Sequence, residues 1–388
     1  MTDAVMDATA PSASPVAAPS RQDAAIGQAI GVAALLIAGL QPVILGAMER
    51  EGRLSAAQIG LAATAELMAL GVAAGLAAAF LKPTNIRLKM GLTCLLHAGA
   101  MMATTLVSGG QVILARTFAG ACAGVMLWLA IGVISRSSRP ERASGVFVTV
   151  QTFAQLVLAA ALPATVMVHG GVNGALTSLA AISVLAAVAA LAGPDRLAPL
   201  PKTEEGGRLA VPALAGLAAV FLWMAFIVAL WVYLEPLAAQ AGLSPRESGM
   251  AIALALGLQV LGGATATLVG DRVPPARLLL GVGAINALIL AVLWSGPGRL
   301  VFVACVAAFG FLWLFALPFQ TLLLIRIDPT RRASMQLGAA QLLGSSAGPL
   351  AASLVVGDGP VRRALILSAV CLALALSLIS FLRPKSPA

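Results

Sequence analysis

The sequence predicts an all-α integral membrane protein, with twelve transmembrane helices in two pseudo-symmetric six-helix bundles. Three observations carry that expectation: an apolar composition, charges gathered into short clusters at intervals, and an echo of the first half of the chain in the second.

Of the 388 residues, 60% are hydrophobic and 10% charged, whereas a soluble domain is about 45–50% apolar and about 25% charged. A water-soluble fold could not hide that much apolar surface, so lipid is the solvent to reason in. The charge clusters separate uncharged runs near the roughly 20 residues that carry a helix across about 30 Å of hydrocarbon. These runs place spans near 25–47, 58–81, 90–107, 111–135, 144–167, 174–192, 209–235, 248–269, 278–295, 300–325, 334–356 and 364–382. The runs are continuous and lack the alternation of a membrane barrel. A helix also satisfies its own backbone hydrogen bonds in lipid, so helices are expected rather than strands.

Residues 1–20, rich in Ala, Ser, Pro and Asp, read as a disordered cytoplasmic tail; they lack the basic patch and apolar core of a cleaved signal peptide. Residues 21–193 hold the first six spans and 209–388 the last six. Between them, 194–208 (PDRLAPLPKTEEGGR) is the longest polar connection and reads as a cytoplasmic linker joining two bundles. An even number of spans leaves both termini on one side. That side carries seventeen Lys and Arg, against six on the other at Arg50, Arg53, Arg246, Arg299, Arg362 and Arg363. Basic residues concentrate in cytoplasmic loops, so both ends are expected in the cytoplasm and the chain in the inner membrane. The net charge of +9 is sorted by loop and not gathered on one face, which argues against nucleic acid as a partner.

The halves echo each other at a nearly constant offset. Ala154, Gln155, Leu156, Ala161 and Pro163 in span five recur 186 positions later as Ala340, Gln341, Leu342, Ala347 and Pro349 in span eleven, and Gly124 recurs as Gly310. Leu54 and Ser55 before Gly60 match Leu243 and Ser244 before Gly249 at an offset of 189. A duplicated six-helix unit is expected in a transporter, where a repeat places a site at the interface and lets one half rock against the other.

Two charges sit plainly inside the membrane. Glu66 lies about nine residues into span two, roughly 12–14 Å from the outer end at about 1.5 Å per residue. An acid at such depth costs roughly 2.5–3.5 kcal/mol and needs a cavity or a partner. Arg116 enters span four to a similar depth from the same side. The two are expected to face each other, as a static brace between helices or as a pair that protonation of Glu66 opens. Glu235 ends span seven and reads as a solvated helix-end charge, with an outer gate or second proton site as the alternative.

Gln41, Gln155, Gln320 and Gln341 would be unsatisfied against lipid and are candidate donors to a cavity. Span seven gathers Phe221, Trp223, Phe226, Trp231 and Tyr233, and span ten carries Trp313 and Phe319. A ring-lined wall would suit an apolar or aromatic solute; rings facing lipid or the interface are the alternative. Gly344, Gly348 and Pro349 form a GxxxGP string that lets helices approach and bend. Cys94, Cys122, Cys305 and Cys371 fall in apolar runs without metal-ligand spacing, so they read as structural thiols and no metal is expected. No phosphate-binding loop, His-Glu-x-x-His string or paired catalytic carboxylates occur, so neither an enzyme nor an ATP-driven pump is expected.

Twelve spans, a central linker and related halves resemble the major facilitator superfamily over essentially residues 21–388. Arg116-Thr-Phe-Ala-Gly120-Ala-Cys-Ala-Gly124 is similar to its span-four motif, in which an arginine precedes small packing residues at a spacing of four. Gly270-Asp271-Arg272 followed by Arg277 is similar to its loop motif, which implies that Asp271 and Arg272 brace the cytoplasmic gate. The equivalent first-half loop, Lys82 to Arg87, lacks the acid. The GxxxGP string is similar to the family's antiporter motif, but it stands in span eleven, whereas the family usually shows it in span five. Tyr233-Leu-Glu235-Pro236 resembles the end of span seven in drug:proton antiporter branches. The resemblance implies that spans one, four, seven and ten line a central cavity, with solute near Gln41, Trp128, Trp223, Trp313, Gln320 and Gln341. It places His97 on a peripheral span, as a packing residue. Expected from it is a monomeric secondary transporter, alternating its access and exporting a small, partly apolar solute at the expense of a proton gradient, with proton coupling at Glu66, Arg116 and Glu235 and no cofactor. Proton-coupled uptake of an organic acid or sugar, with Arg116 binding the anion, is the alternative within transport. A receptor or enzyme on a transporter fold is the alternative outside it.

Overall fold

A computed structural model describes residues 19–137, 140–197, 209–270, 272–329 and 331–382. Among them every named element is helical, as hydrocarbon demands of an open chain. The first half comprises α1 (Arg21–Arg50), α2 (Ala56–Phe80), α3 (Ile86–Thr105), α4 (Gly110–Ile134), α5 (Pro140–Ala164) and α6 (Val166–Ala190). The second comprises α7 (Val211–Val232), α8 (Leu234–Gln240), α9 (Pro245–Val269), α10 (Pro275–Trp294), α11 (Arg299–Ile327), α12 (Arg332–Met335), α13 (Leu337–Val356) and α14 (Arg363–Phe381).

Taking α7 with α8 and α12 with α13 as single crossings gives twelve, six in each half. Eleven of the helices are long and apolar enough to span a membrane. The remaining crossing is α3, whose 20 residues reach about 30 Å. Arg87 and Lys89 in its first turn reduce its apolarity, yet Leu88, Leu92 and Leu95 form an exposed stripe that suits lipid.

The expected unbroken seventh span is interrupted at Tyr233, where the backbone leaves helical geometry (φ −97°, ψ 6°). Pro236 explains the break, because its ring cannot pass the carbonyl four residues earlier, that of Val232, and it offers no N–H. The repeated Leu-Ser pair proves to be a helix start. Ser55 caps α2 in a capping box with Gln58, and Ser244 caps α9 with Glu247, in the same register in the two halves; each cap is worth about 1 kcal/mol.

The beginning of the linker is strapped to the α2–α3 turn. The Ile86 N–H donates to Asp195 O at 2.9 Å and the Leu197 N–H to Pro83 O at 3.0 Å. Residues 198–208 of the linker and 1–18 of the tail lie outside the described residues.

The halves meet at the ends of their helices remote from the termini. There α2 packs on α13 and α5 on α9. In α1 every residue from Gly39 to Met48 is buried, and in α7 and α8 every residue from Trp223 to Ala238. Toward the termini the same helices show a periodic stripe of part-exposed residues, Gln28, Val32, Leu35 and Ala38 on α1 and Leu214, Leu217 and Phe221 on α7. Next to the closed contact, on its terminal side, a groove of about 260 Å³ separates Leu67, Met68, Gly71 and Val72 of α2 from Ala339, Leu342, Leu343 and Ser346 of α13. The two bundles are thus closed on the side away from the termini and parted on the other.

Candidate functional site

The closed side is built from backbone approach at glycine. Gly60 of α2 faces the carbonyl oxygen of Pro349 and Ser353 of α13, so close that a Cβ there would overlap both. Gly249 of α9 faces Ala159 O and the ring of Pro163 of α5 in the same way. These are the residues that the internal repeat pairs, so the seal is made twice by one device. Thr64 adds a hydrogen bond across the halves, donating to Ser346 O at 2.9 Å.

One ion pair also crosses the halves. Arg50 Nε, in the last turn of α1, lies 2.6 Å from Glu235 Oε1 at the start of α8. The Arg50 side chain is 33% exposed and that of Glu235 only 3%. Glu235 is therefore not the solvated helix-end charge expected from sequence. The break at Tyr233 turns α8 inward over α1, where Gly46 leaves room for the carboxylate. Its second oxygen, Oε2, has no hydrogen-bond partner.

Glu66 and Arg116 come together entirely within the first half. Arg116 donates from Nη2 to Glu66 Oε1 and from Nε to Oε2 at 3.3 Å. Its Nη1 points to Met101 Sδ at 3.1 Å. Both side chains are essentially without exposure. The approach of α4 to α2 that permits the pair depends on Gly120, packed on the backbone of Glu66, and Gly124, packed on Leu70 O. In the second half Gly344 and Gly348 bring α13 onto Phe221 O and Ala225 O of α7.

The candidate solute residues divide into two groups. Trp128, Trp313 and Gln341 are part-exposed, whereas Gln41, Trp223 and Gln320 are buried. Gln341 donates to Gln320 Oε1 at 3.2 Å, which leaves Gln320 Nε2 unpartnered. Both amide atoms of Gln41 and the indole nitrogens of Trp223 and Trp231 also lack protein partners. A chain of ring contacts joins α7 to α11: Trp223 to Phe226, Phe226 to Phe309, Phe309 to Trp313 and Trp313 to Trp231, with centroids 5.4–6.2 Å apart. Buried donors without protein acceptors thus stand beside an aromatic wall, although buried polar groups ordinarily have a partner. Gln155 differs, since its Nε2 donates to Leu35 O at 2.7 Å and its amide packs on Gly39.

At the other side Arg272 is exposed and turned back on its own helix, donating to Leu268 O at 2.6 Å. Its proposed gate partner Asp271 lies outside the described residues. His97 is paired with Ser183 at 2.9 Å between α3 and α6. Sequence reasoning missed Arg50, whose role depends on an acid 185 positions away, and Gly46, whose only signal is its lack of a side chain. Among the described residues no cluster of His, Cys, Asp and Glu is disposed to hold a metal ion.

A profile of the Major Facilitator Superfamily matches residues 28–352. No curated protein matches the sequence significantly. Among solved structures, the nucleoside transporter NupG superposes with a TM-score of 0.72 at 13% identity, covering 94% of this chain and 100% of that one. A bacterial homolog of the human lysosomal transporter Spinster, in an inward-facing and occupied conformation, superposes with a TM-score of 0.64 at 15% identity, covering 93% of this chain and 95% of that one.

Proposed function

The chain belongs to the Major Facilitator Superfamily and is a multi-pass membrane transporter, and we propose that it exports a small, partly apolar, uncharged solute across the inner membrane at the expense of a proton gradient. The observation that carries the choice of solute is the state of Arg116. The guanidinium is buried and held by both oxygens of Glu66, so it is not free to bind an organic anion. What remains on the pathway is rings and amides. This favours a neutral ring-bearing solute over the organic acid that a free arginine would select.

The basic loops and both termini share the parted side, so by the positive-inside rule that side faces the cytoplasm. The state described is then loaded from within, and export follows when the far seal opens. Glu66, paired with Arg116, is the proposed proton site of the first half: a proton removes its charge and frees α2 from α4. The protein acts as a monomer and needs no cofactor beyond the gradient.

The test begins with neutral and charged ring compounds scored for raising the melting temperature of the purified protein, since a ligand of the folded state stabilises by mass action. Those that bind are offered to vesicles. Accumulation in inverted vesicles that collapses with a protonophore, with a pH dependence altered in Glu66→Gln, is expected. Accumulation only in right-side-out vesicles would overturn export, and an unchanged pH dependence in Glu66→Gln would remove that residue from coupling.

A further inference from the structure

We infer that the Arg50–Glu235 ion pair is the latch of the sealed side, released when Glu235 takes up a proton. The inference rests on alternating access and names a coupling group that spans the halves. Glu66 and Arg116 belong to one bundle, so their pair can persist whichever side is open. Arg50 belongs to α1 and Glu235 to α8, and their separation follows directly from parting the bundles on the closed side.

Four features suit the pair to a switch. The carboxylate is buried, with one oxygen on Arg50 and the other bare, seated over Gly46. Parting the seal with Glu235 charged separates two opposite charges, whereas with Glu235 protonated it breaks only a hydrogen bond from the Arg50 guanidinium to an uncharged carboxyl group. Arg50 is one-third exposed, so its guanidinium can turn to water when released and leaves no buried charge behind. The carboxyl group is also one residue pair from the solution on that side, so a proton reaches it without crossing the membrane.

The surrounding charges do not compete for it. From α1, the neighbouring acid Glu49 is part-exposed. From α9, Arg246 and Glu247 are exposed, and Glu247 accepts from Ser244 N at 2.7 Å and lies 3.5 Å from Arg299. From the α7 break, the uncharged phenol of Tyr233 rests against Gly60.

The test needs no solute. Leu106→Cys and Leu300→Cys place spin labels on exposed positions at the sealed ends of the two halves, with the four native cysteines replaced by alanine and the protein in lipid nanodiscs. In the parent the short label distance is expected at high pH, with a longer-distance population growing as pH falls. Glu235→Gln should show the longer distance at every pH. Gly46→Ala, which evicts the carboxylate without changing any charge, should do the same. An unresponsive parent, or a Glu235→Gln variant that titrates like the parent, overturns the latch. Failure of the export reading would appear in vesicles as absent solute accumulation and would leave these distances unchanged.

Discussion

Gly60 of α2 lies directly against the carbonyl oxygen of Pro349 in α13, and this contact joins the two halves on their closed side. A methyl group at Gly60 must displace helical backbone, which yields less readily than a side chain. Overpacking of this kind costs about 1–3 kcal/mol, and here the cost falls only on the sealed state. Gly60→Ala should therefore shift the access equilibrium toward the opened seal by roughly 5- to 150-fold. The measurement is the rate at which a maleimide labels Thr64→Cys, buried in the seal of the parent. A folded Gly60→Ala protein labelled no faster than the parent would show that the contact does not hold the seal. Gly249→Ala, in the equivalent contact with Pro163, should act in the same direction.

Legibility from sequence followed the strength of the local physics. The spans were readable because each must satisfy its backbone within lipid and so must be long and apolar. The Glu66–Arg116 pairing was foreshadowed because charges at matching depth are too costly to stand alone. Gly60, Gly249, Pro163 and Pro349 were visible as repeated residues, but that they meet crosswise depends on how the halves dock, which no local rule specifies. The pairing of Arg50 with Glu235 was hidden for the same reason. Arg50 looks like any basic residue at a helix end, and the burial of Glu235 depends on the break that Pro236 imposes on the seventh crossing. Trp231, in the last turn before that break, is buried beside Trp313 and not in an interfacial belt.

The pair in the first half should behave as a coupled unit in stability. Glu66→Leu leaves Arg116 buried with its charge uncompensated, and Arg116→Leu does the same to Glu66. Each single change should cost about 3–5 kcal/mol, while the double Leu variant should recover most of the loss. Equilibrium unfolding of the four proteins in mixed detergent and denaturant gives the cycle. Additive losses would mean that Glu66 and Arg116 stabilise α2 and α4 independently.

His97 is expected to serve packing alone. Its ring bonds Ser183 within a buried contact of α3 and α6, away from the crossings that meet at the seal. Ser183→Ala should lower stability by about 0.5–1.5 kcal/mol, the net worth of one buried hydrogen bond. His97→Asn should leave the pH profile of transport where it was. A displaced profile would bring His97 into the proton pathway.

Gln41 offers the clearest separation of a solute contact from a structural one. Both of its amide atoms are buried without protein partners, and an unsatisfied buried polar group costs about 1–3 kcal/mol. Gln41→Leu removes that cost, so the solute-free protein should melt at the parent temperature or above it. The rise in melting temperature that a transported solute confers on the parent should be absent in Gln41→Leu. Gln155→Leu is the contrasting case, because Gln155 holds Leu35 O. It should lower the melting temperature while leaving the solute-dependent rise in place. If Gln41→Leu instead behaves like Gln155→Leu, its amide is part of the helix packing, and the solute must find its polar partners elsewhere, with Gln320 and Trp223 next to be tested.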